Sequence, residues 1–371
     1  MRPRIRGYAR PVTQQHAGWD AARFRDDIES TLRDFVRTQA EWLDRLGPDA
    51  QRLVEHARTS VSGGKRFRAA FCWWGHHAVA EPADPVDRVA LLRACASLEL
   101  LHASALVHDD YMDASDVRRG RPATHRAFEE LHREHGWAAS PEQYGASAAI
   151  LLGDLLLSWS DELLRTCGLP ADRVLDALGY FDLTRSEVVT GQFLDVSAQA
   201  RGAADVDTAM TVLRYKSAKS SIERPLHIGA ALAGASAEQI TQLSRFGLPL
   251  GEAFQLRDDL LGVFGDPVVT GKPAGADLIE GKRTVLVALA LDALPPAEAK
   301  VLDAALGTAL APDQVETLCR LIDESGARMQ VESVISELTD RSLSALAAAD
   351  VTDRARGVLQ GLAAEATQRA V

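Results

Sequence analysis

Along most of this chain apolar residues recur three and four positions apart, in long stretches rich in Ala, Leu, Arg and Glu. Four of these stand out: Arg88 to Val107, Ala146 to Leu164, Asp172 to Phe193 and Thr284 to Leu294. That spacing gathers the apolar side chains onto one face of a 3.6-residue turn, so each stretch predicts a helix. The many Ala and Leu residues agree with this, because both lose little freedom in a helix. Strand signals are scarce, since alternating β-branched runs are absent and the Val-rich pieces are short. The expected fold is therefore all-α. Gly and Pro punctuate it at Gly47-Pro48, Glu81 to Pro85, Gly168 to Pro170 and Gly271 to Gly281, and Pro295-Pro296 closes the helix that begins near Thr284. The stretch His132 to Gly145, with Gly136, Pro141 and Gly145, predicts a polar loop between two helices.

Composition narrows the picture. Of 371 residues 46% are hydrophobic, enough for a large core. The 41 Lys and Arg against 52 Asp and Glu leave a net charge of -11, which disfavours a partner made of nucleic acid. Cys72, Cys95, Cys167 and Cys319 show no Cys-x-x-Cys spacing and sit in apolar or amphipathic stretches. Buried free thiols in a reducing cytoplasm are expected. Behind the opening Met-Arg-Pro-Arg-Ile-Arg no apolar run follows, so residues 1–20 read as a flexible basic arm, with neither secretory signal nor membrane span. Ala148 to Trp159 is the most apolar segment elsewhere; Asp154 interrupts it and it is too short to cross a bilayer.

Two aspartate clusters carry the candidate chemistry: His108-Asp109-Asp110-Tyr111-Met112-Asp113 and Arg257-Asp258-Asp259-Leu260-Leu261-Gly262. At helical spacing Asp109 and Asp113 stand one turn apart on one face, with Asp110 beside them. Such carboxylates repel one another unless cations hold them. Magnesium takes few protein carboxylates and keeps its other positions for water and phosphate oxygens, so facing clusters point to a metal-bridged diphosphate. For the clusters to face each other the chain between them must fold back within one core, which predicts a single domain over residues 21–371. Three basic elements accompany them. Ser62-Gly63-Gly64-Lys65-Arg66-Phe67-Arg68 offers close backbone approach to an anion and three cations. Asp116-Val117-Arg118-Arg119-Gly120-Arg121-Pro122 places arginines in a turn. Gly271-Lys272-Pro273-Ala274-Gly275-Ala276-Asp277, followed by Gly281-Lys282-Arg283-Thr284, reads as a lid able to bring Lys272 and Lys282 over the metals.

Together with Gly191-Gln192-Phe193-Leu194-Asp195, Lys216-Ser217 and Phe254-Gln255-Leu256-Arg257-Asp258-Asp259, these elements resemble, in order, the trans-isoprenyl diphosphate synthases of the polyprenyl synthetase family, from about residue 50 to about 290. The resemblance implies a bundle of long, mostly antiparallel helices around a deep central cavity, and a homodimer. It implies an allylic diphosphate held by three magnesium ions, with isopentenyl diphosphate beside it, bound without metal. Asp109, Asp110 and Asp113 would then bind two ions and Asp258 and Asp259 the third. Arg118, Lys216, Gln255, Lys272 and Lys282 would contact the allylic diphosphate, while Gly64, Lys65, Arg68, His102 and Arg119 would hold isopentenyl diphosphate. Departure of diphosphate would leave an allylic cation, which the isopentenyl double bond attacks before losing a proton.

Two departures from the family pattern bear on that transfer. Gly262 stands where a third aspartate is usual, and Asp266 is the candidate to compensate, although Gly265 and Pro267 should end the helix first. Ser217 replaces the usual threonine and keeps its hydroxyl. The growing chain should run down the first aspartate helix. There Ser104 and Ala105, roughly 6 to 8 Å from Asp109 along the axis, are small, and Leu101 and Leu98 lie deeper. An open upper turn disfavours farnesyl diphosphate and predicts geranylgeranyl diphosphate, with a longer polyprenyl product as the main competitor. A class I terpene cyclase would need no isopentenyl site, and a non-catalytic partner subunit would be expected to lack the carboxylates. Among the remaining candidates, His132 and His135 read as surface residues, His76 and His77 as helix-packing residues, and Tyr111 as a cover over the pocket mouth.

Overall fold

The computed structural model describes residues 19–81, 85–202, 205–266 and 274–368. Most of the N-terminal arm, and Lys272 of the lid, lie outside the described residues. Each of the four predicted helices is present and extends further than its periodic stretch, except the last. The order is α1 (Ala21–Leu43), α2 (Pro48–Val61), α3 (Phe67–Val79), α4 (Pro85–Met112), α5 (Thr124–Glu134), α6 (Pro141–Arg165) and α7 (Ala171–Arg201). Next, α8 (Val206–Val212) runs into a π-helical segment (Leu213–Glu223) and α9 (Arg224–Leu232). Then come α10 (Ala237–Phe264), the single turn α11 (Ala276–Ile279), α12 (Val285–Ala293), α13 (Pro296–Ala305), α14 (Pro312–Glu324), α15 (Ala327–Ala348) and α16 (Asp353–Thr367).

Helix α4 is buried along most of its middle, from Ala90 to Val107, with Arg93, His102, Ala105 and Leu106 half-buried, and serves as the central post. It is long and apolar enough to cross a membrane, but 72% of its most apolar window is buried within the protein, as in the core helix of a helical bundle. Helix α6 packs along α4, α9 along α3, and α10 against both the π segment and α15. One apolar cluster joins α1 to α4, α6, α7, α9, the first half of α10 and α16; the second joins the later half of α10 to α12, α14 and α15. Helix α10 thus belongs to both. Close crossings depend on glycine: a Cβ at Gly229 would stand 1.8 Å from the Cys72 carbonyl oxygen, and one at Gly75 2.3 Å from that of Leu226.

The loop expected over His132 to Gly145 shrinks to a short connection between Glu134 and Pro141. Ser140 caps α6, accepting from the Gln143 amide at 3.1 Å, and Pro141 takes the first helical position, where it lacks no needed donor. Gly145 is no breaker; a Cβ there would meet the His125 carbonyl at 2.4 Å, so it lets α6 lie on α5. For the same reason His132 is not a surface residue. It is buried between Trp137 and Tyr144 and pairs with the Ala138 carbonyl at 2.9 Å, whereas His135 is exposed. His76 and His77 are buried in α3 as expected. Cys72, Cys95 and Cys167 are buried free thiols, and Cys319 is half-buried.

Candidate active site

A cavity of about 960 Å³ opens between α4, α7, the π segment and α10. Asp109 projects into it from the last turn of α4, where its carboxylate accepts from Gln192 Nε2 and lies beside Lys216 Nζ, both at 3.0 Å. One turn on, Asp113 lies 3.4 Å from Lys282 Nζ, and its Oδ2 is buried without a hydrogen bond. Asp110, about 100° around the helix from Asp109, faces another way. It is gripped by Arg118, whose Nε donates to both its oxygens at 2.8 and 3.1 Å. A two-residue antiparallel pair, Val117–Arg118 with Arg121–Pro122, brings Arg118 back. Its turn residues Arg119 and Gly120 both have positive φ, 51° and 72°, as a tight hairpin whose twist matches its strands requires. Tyr111 does not cover the cavity; it is exposed and stands edge-on to His125.

Asp258 and Asp259 line the opposite wall from the last two turns of α10. The helix ends at Phe264 with Gly265 as its cap, and Asp266 beyond it is exposed and does not line the cavity. The helix thus ends before Asp266, as the glycine at 265 suggests, and the one acid that could have compensated from there does not reach the cavity. The space beside Gly262 is taken by Asp277 of α11, whose Oδ2 would lie 1.9 Å from a Cβ at residue 262.

The charges explain the titration behaviour. Burial works to raise Asp109, but Lys216 and Lys282 beside it hold it well below the usual carboxylate range. Asp113 is pushed up to about 6 by burial and by Asp109. Asp259 is pushed up to about 8, again by burial first and then by Asp277. Burial also opposes the charge on Lys282, yet Asp277 and Glu280 more than offset it and keep the ammonium protonated. At neutral pH Asp259 would have to shed a proton to accept a cation, whereas Asp113 is already largely ionised.

Among the described residues no three His, Cys, Asp or Glu side chains converge on one metal position. The donors are all oxygens, divided between two walls, with lysine ammoniums between them. That set fits a hard divalent ion whose shell is completed by phosphate and water.

A second cationic zone lines the same cavity through Gly64, Lys65, Arg68, His102 and Arg119. Gly64 has φ +99°, and a Cβ there would stand 3.0 Å from the Arg119 guanidinium, which in turn donates to the Ser62 carbonyl at 2.7 Å. Arg68 donates to Ser221 Oγ at 2.8 Å. Burial and the adjacent Arg68 and Arg119 hold His102 well below its ordinary value, so it is neutral. Arg66 has a different duty: it is buried, pairs with Glu29 and Glu99, and ties α1 to α4. Gln255, Ser217, Lys216 and Lys282 all line the cavity.

The π segment aims two of these groups, and α7 holds it at three points spaced four residues apart. Lys216 donates to Asp195 at 2.6 Å, Gly191 admits the Lys216 backbone at a distance where a Cβ would lie 2.3 Å away, and Lys219 donates to Glu187 at 2.7 Å. The sequence pattern alone gives Gly191 to Asp195 no role and does not mark Glu187 or Lys219. Their only signal was the i, i+4, i+8 register, which becomes meaningful once the partner helix is known.

On the product side, Ala105, Leu101 and Leu98 line the cavity, as do Val188 and Val189 of α7. Ser104 does not. It is turned to α6, where its hydroxyl donates to the Gly153 carbonyl at 2.7 Å.

The polyprenyl synthetase family matches residues 50–322. A geranylfarnesyl diphosphate synthase of Natronomonas pharaonis is 32% identical over 281 residues, 72% of this chain and 77% of that protein. A geranylgeranyl diphosphate synthase of Sulfolobus acidocaldarius is 31% identical over 287 residues, 76% and 78%. The crystal structure of geranylgeranyl pyrophosphate synthase from Corynebacterium glutamicum, complexed with isoprenyl diphosphate and magnesium, superposes with a TM-score of 0.92 at 39% identity, covering 95% of this chain and all of that one. With an all-α fold built around one doubly acidic, doubly cationic cavity, this chain belongs to the polyprenyl synthetase family of prenyltransferases.

Proposed function

We propose that this protein joins isopentenyl diphosphate to allylic diphosphates and releases geranylgeranyl diphosphate. The observation that carries the reading is a single cavity lined by Asp109 on one side, by Asp258 and Asp259 on the other and, apart from them, by the cationic zone around Gly64, Arg68 and Arg119. Two diphosphates thus have two separate places, one between the aspartates and one among cations. Asp109, Asp113, Asp258 and Asp259 are the groups offered to magnesium, three ions in all, while Asp110 acts by fixing Arg118. When bound, magnesium supplies charge neutralisation of the leaving diphosphate. Arg118, Lys216, Gln255 and Lys282 orient that diphosphate and add positive charge where negative charge grows. Gly64, Lys65, Arg68, His102, Arg119 and Ser217 present the second substrate, whose double bond is held beside the cation in a site walled from water.

The small Ala105 above Leu101 and Leu98 leaves room for chains beyond fifteen carbons. Incubation with magnesium, labelled isopentenyl diphosphate and five-, ten- or fifteen-carbon starters should converge on a twenty-carbon product. Farnesyl diphosphate as sole end product would refute the open upper turn.

Residues 21–371 form one domain in this reading, because α10 contributes to both apolar clusters. A homodimer is proposed on the face of α6 and α7, where Ile150, Leu151 and Leu183 are 43–60% exposed. Apolar side chains exposed in such a row mark an association surface. A monomer mass in sedimentation equilibrium at micromolar concentration would count against it.

A further inference from the structure

Three cations stand in the loop Gly63-Gly64-Lys65-Arg66-Phe67-Arg68, but the middle one is turned into the protein. We propose that Arg66 and Glu99 are positioning residues: by locking this loop to α4 they fix Gly64, Lys65 and Arg68 where isopentenyl diphosphate is received, and act only through those groups. The inference rests on the reading of the zone around Gly64, Arg68 and Arg119 as the place of that substrate.

Arg66 stands immediately before α3 with φ +57°, a left-handed conformation that residues other than glycine rarely adopt and that persists only where the surroundings enforce it. Its side chain supplies that enforcement. One terminal nitrogen donates to Glu99 Oε2 at 3.2 Å; the other donates to Glu29 and, at 2.5 Å, to the carbonyl of Val61, the last residue of α2. The loop is thereby closed back onto the helix before it. Glu29 Oε2 also accepts from the Gly63 amide at 3.3 Å.

Glu99 holds the other end. Arginine has no acceptor with which to cap a helix, and α3 receives no cap from its own leading residue. Glu99 Oε1, reaching across from α4, accepts from the Ala69 amide at 3.1 Å instead, and its negative charge suits a helix N-terminus. That first turn of α3 carries Arg68, while His102 lies three residues after Glu99 on α4, so one carboxylate sets both elements of the zone against each other. Arg66 and Glu99 border the same cavity, but both oxygens of Glu99 and both terminal nitrogens of Arg66 are engaged with the protein. Of the three cations in the motif, the substrate thus meets Lys65 and Arg68.

The test is steady-state kinetics with each substrate varied in turn, with melting temperature as the fold control. Arg66→Lys keeps the charge but cannot fork between two carboxylates, and Glu99→Gln keeps the shape but places a donor against a donor. Each should raise KM for isopentenyl diphosphate by about 10–100-fold, the scale on which small misplacements of a binding group are felt, while KM for the allylic starter stays within about threefold. A second variant separates positioning from stability. Arg66→Met combined with Glu99→Met leaves no unpaired charge between them, so its melting temperature should lie above that of Arg66→Met alone, whereas KM for isopentenyl diphosphate should remain raised. A KM within about twofold of the unmodified protein, an equal rise for both substrates, or a KM that recovers together with the melting temperature would each overturn the inference. Arg68→Gln with an unchanged KM for isopentenyl diphosphate would instead overturn the reading on which it rests.

Discussion

Asp109→Ala lowers turnover by about a hundredfold to a thousandfold or more, the scale seen when one group stabilising developing charge is removed, while the fold is retained. Asp109 is where the site's contacts converge: Gln192 and Lys216 both reach it at 3.0 Å, and it faces the cavity from the end of α4. Lys216 and Lys282 keep its carboxyl ionised across the working pH range against the pull of burial, so a cation need not displace a proton there. Removing it leaves Lys216 to Asp195 alone, 2.6 Å away, and takes one donor from the metal-bearing face. Steady-state kinetics with circular dichroism as control decides the matter. Activity within a few-fold of the unmodified protein would contradict the role assigned to this carboxylate.

Glu187→Ala destabilises the protein by about 3–5 kcal/mol, the cost typical of breaking a buried ion pair by deleting one partner. Glu187 accepts from Lys219 at 2.7 Å and from Arg224 Nε and Nη2, each at 2.8 Å. Its alanine variant leaves the buried Arg224 and the half-buried Lys219 short of their counter-charge. Nor can His227 help. Burial and the neighbouring Arg224 push it down to about 3, so it is neutral, with Nδ1 accepting from Arg224 at 3.1 Å and Nε2 donating to Ser244 Oγ at 2.8 Å. Because π-helical hydrogen bonding is rarely sustained without outside support, the loss of this tether should also let the segment relax and turn Lys216 from its aim. Urea unfolding measures the first effect; a loss below about 1 kcal/mol would show that the network is dispensable.

Much of this was legible before any coordinates. Helix periodicity located α4, α6, α7 and α12, and the spacing of Asp109 and Asp113 placed them on one face. What local patterns misjudged were residues whose meaning lies in a neighbour. Gly145 and Pro141 resemble breakers in isolation, but one is a contact point and the other a helix start. Ser104 and Ala105 are adjacent and equally small, yet only Ala105 lines the cavity, because successive residues on a helix point about 100° apart.

Charge, helical class and the grouping of acids and bases along the chain follow from residue order, since 3.6-residue geometry relates side chains within a helix without reference to anything else. How the helices are rotated against one another does not follow from it. That rotation turns Ser104 onto α6 and clamps Lys216 and Lys219 against α7. Such contacts join residues far apart in the chain, and their distances come from packing whole helices to close contact, which no local pattern encodes.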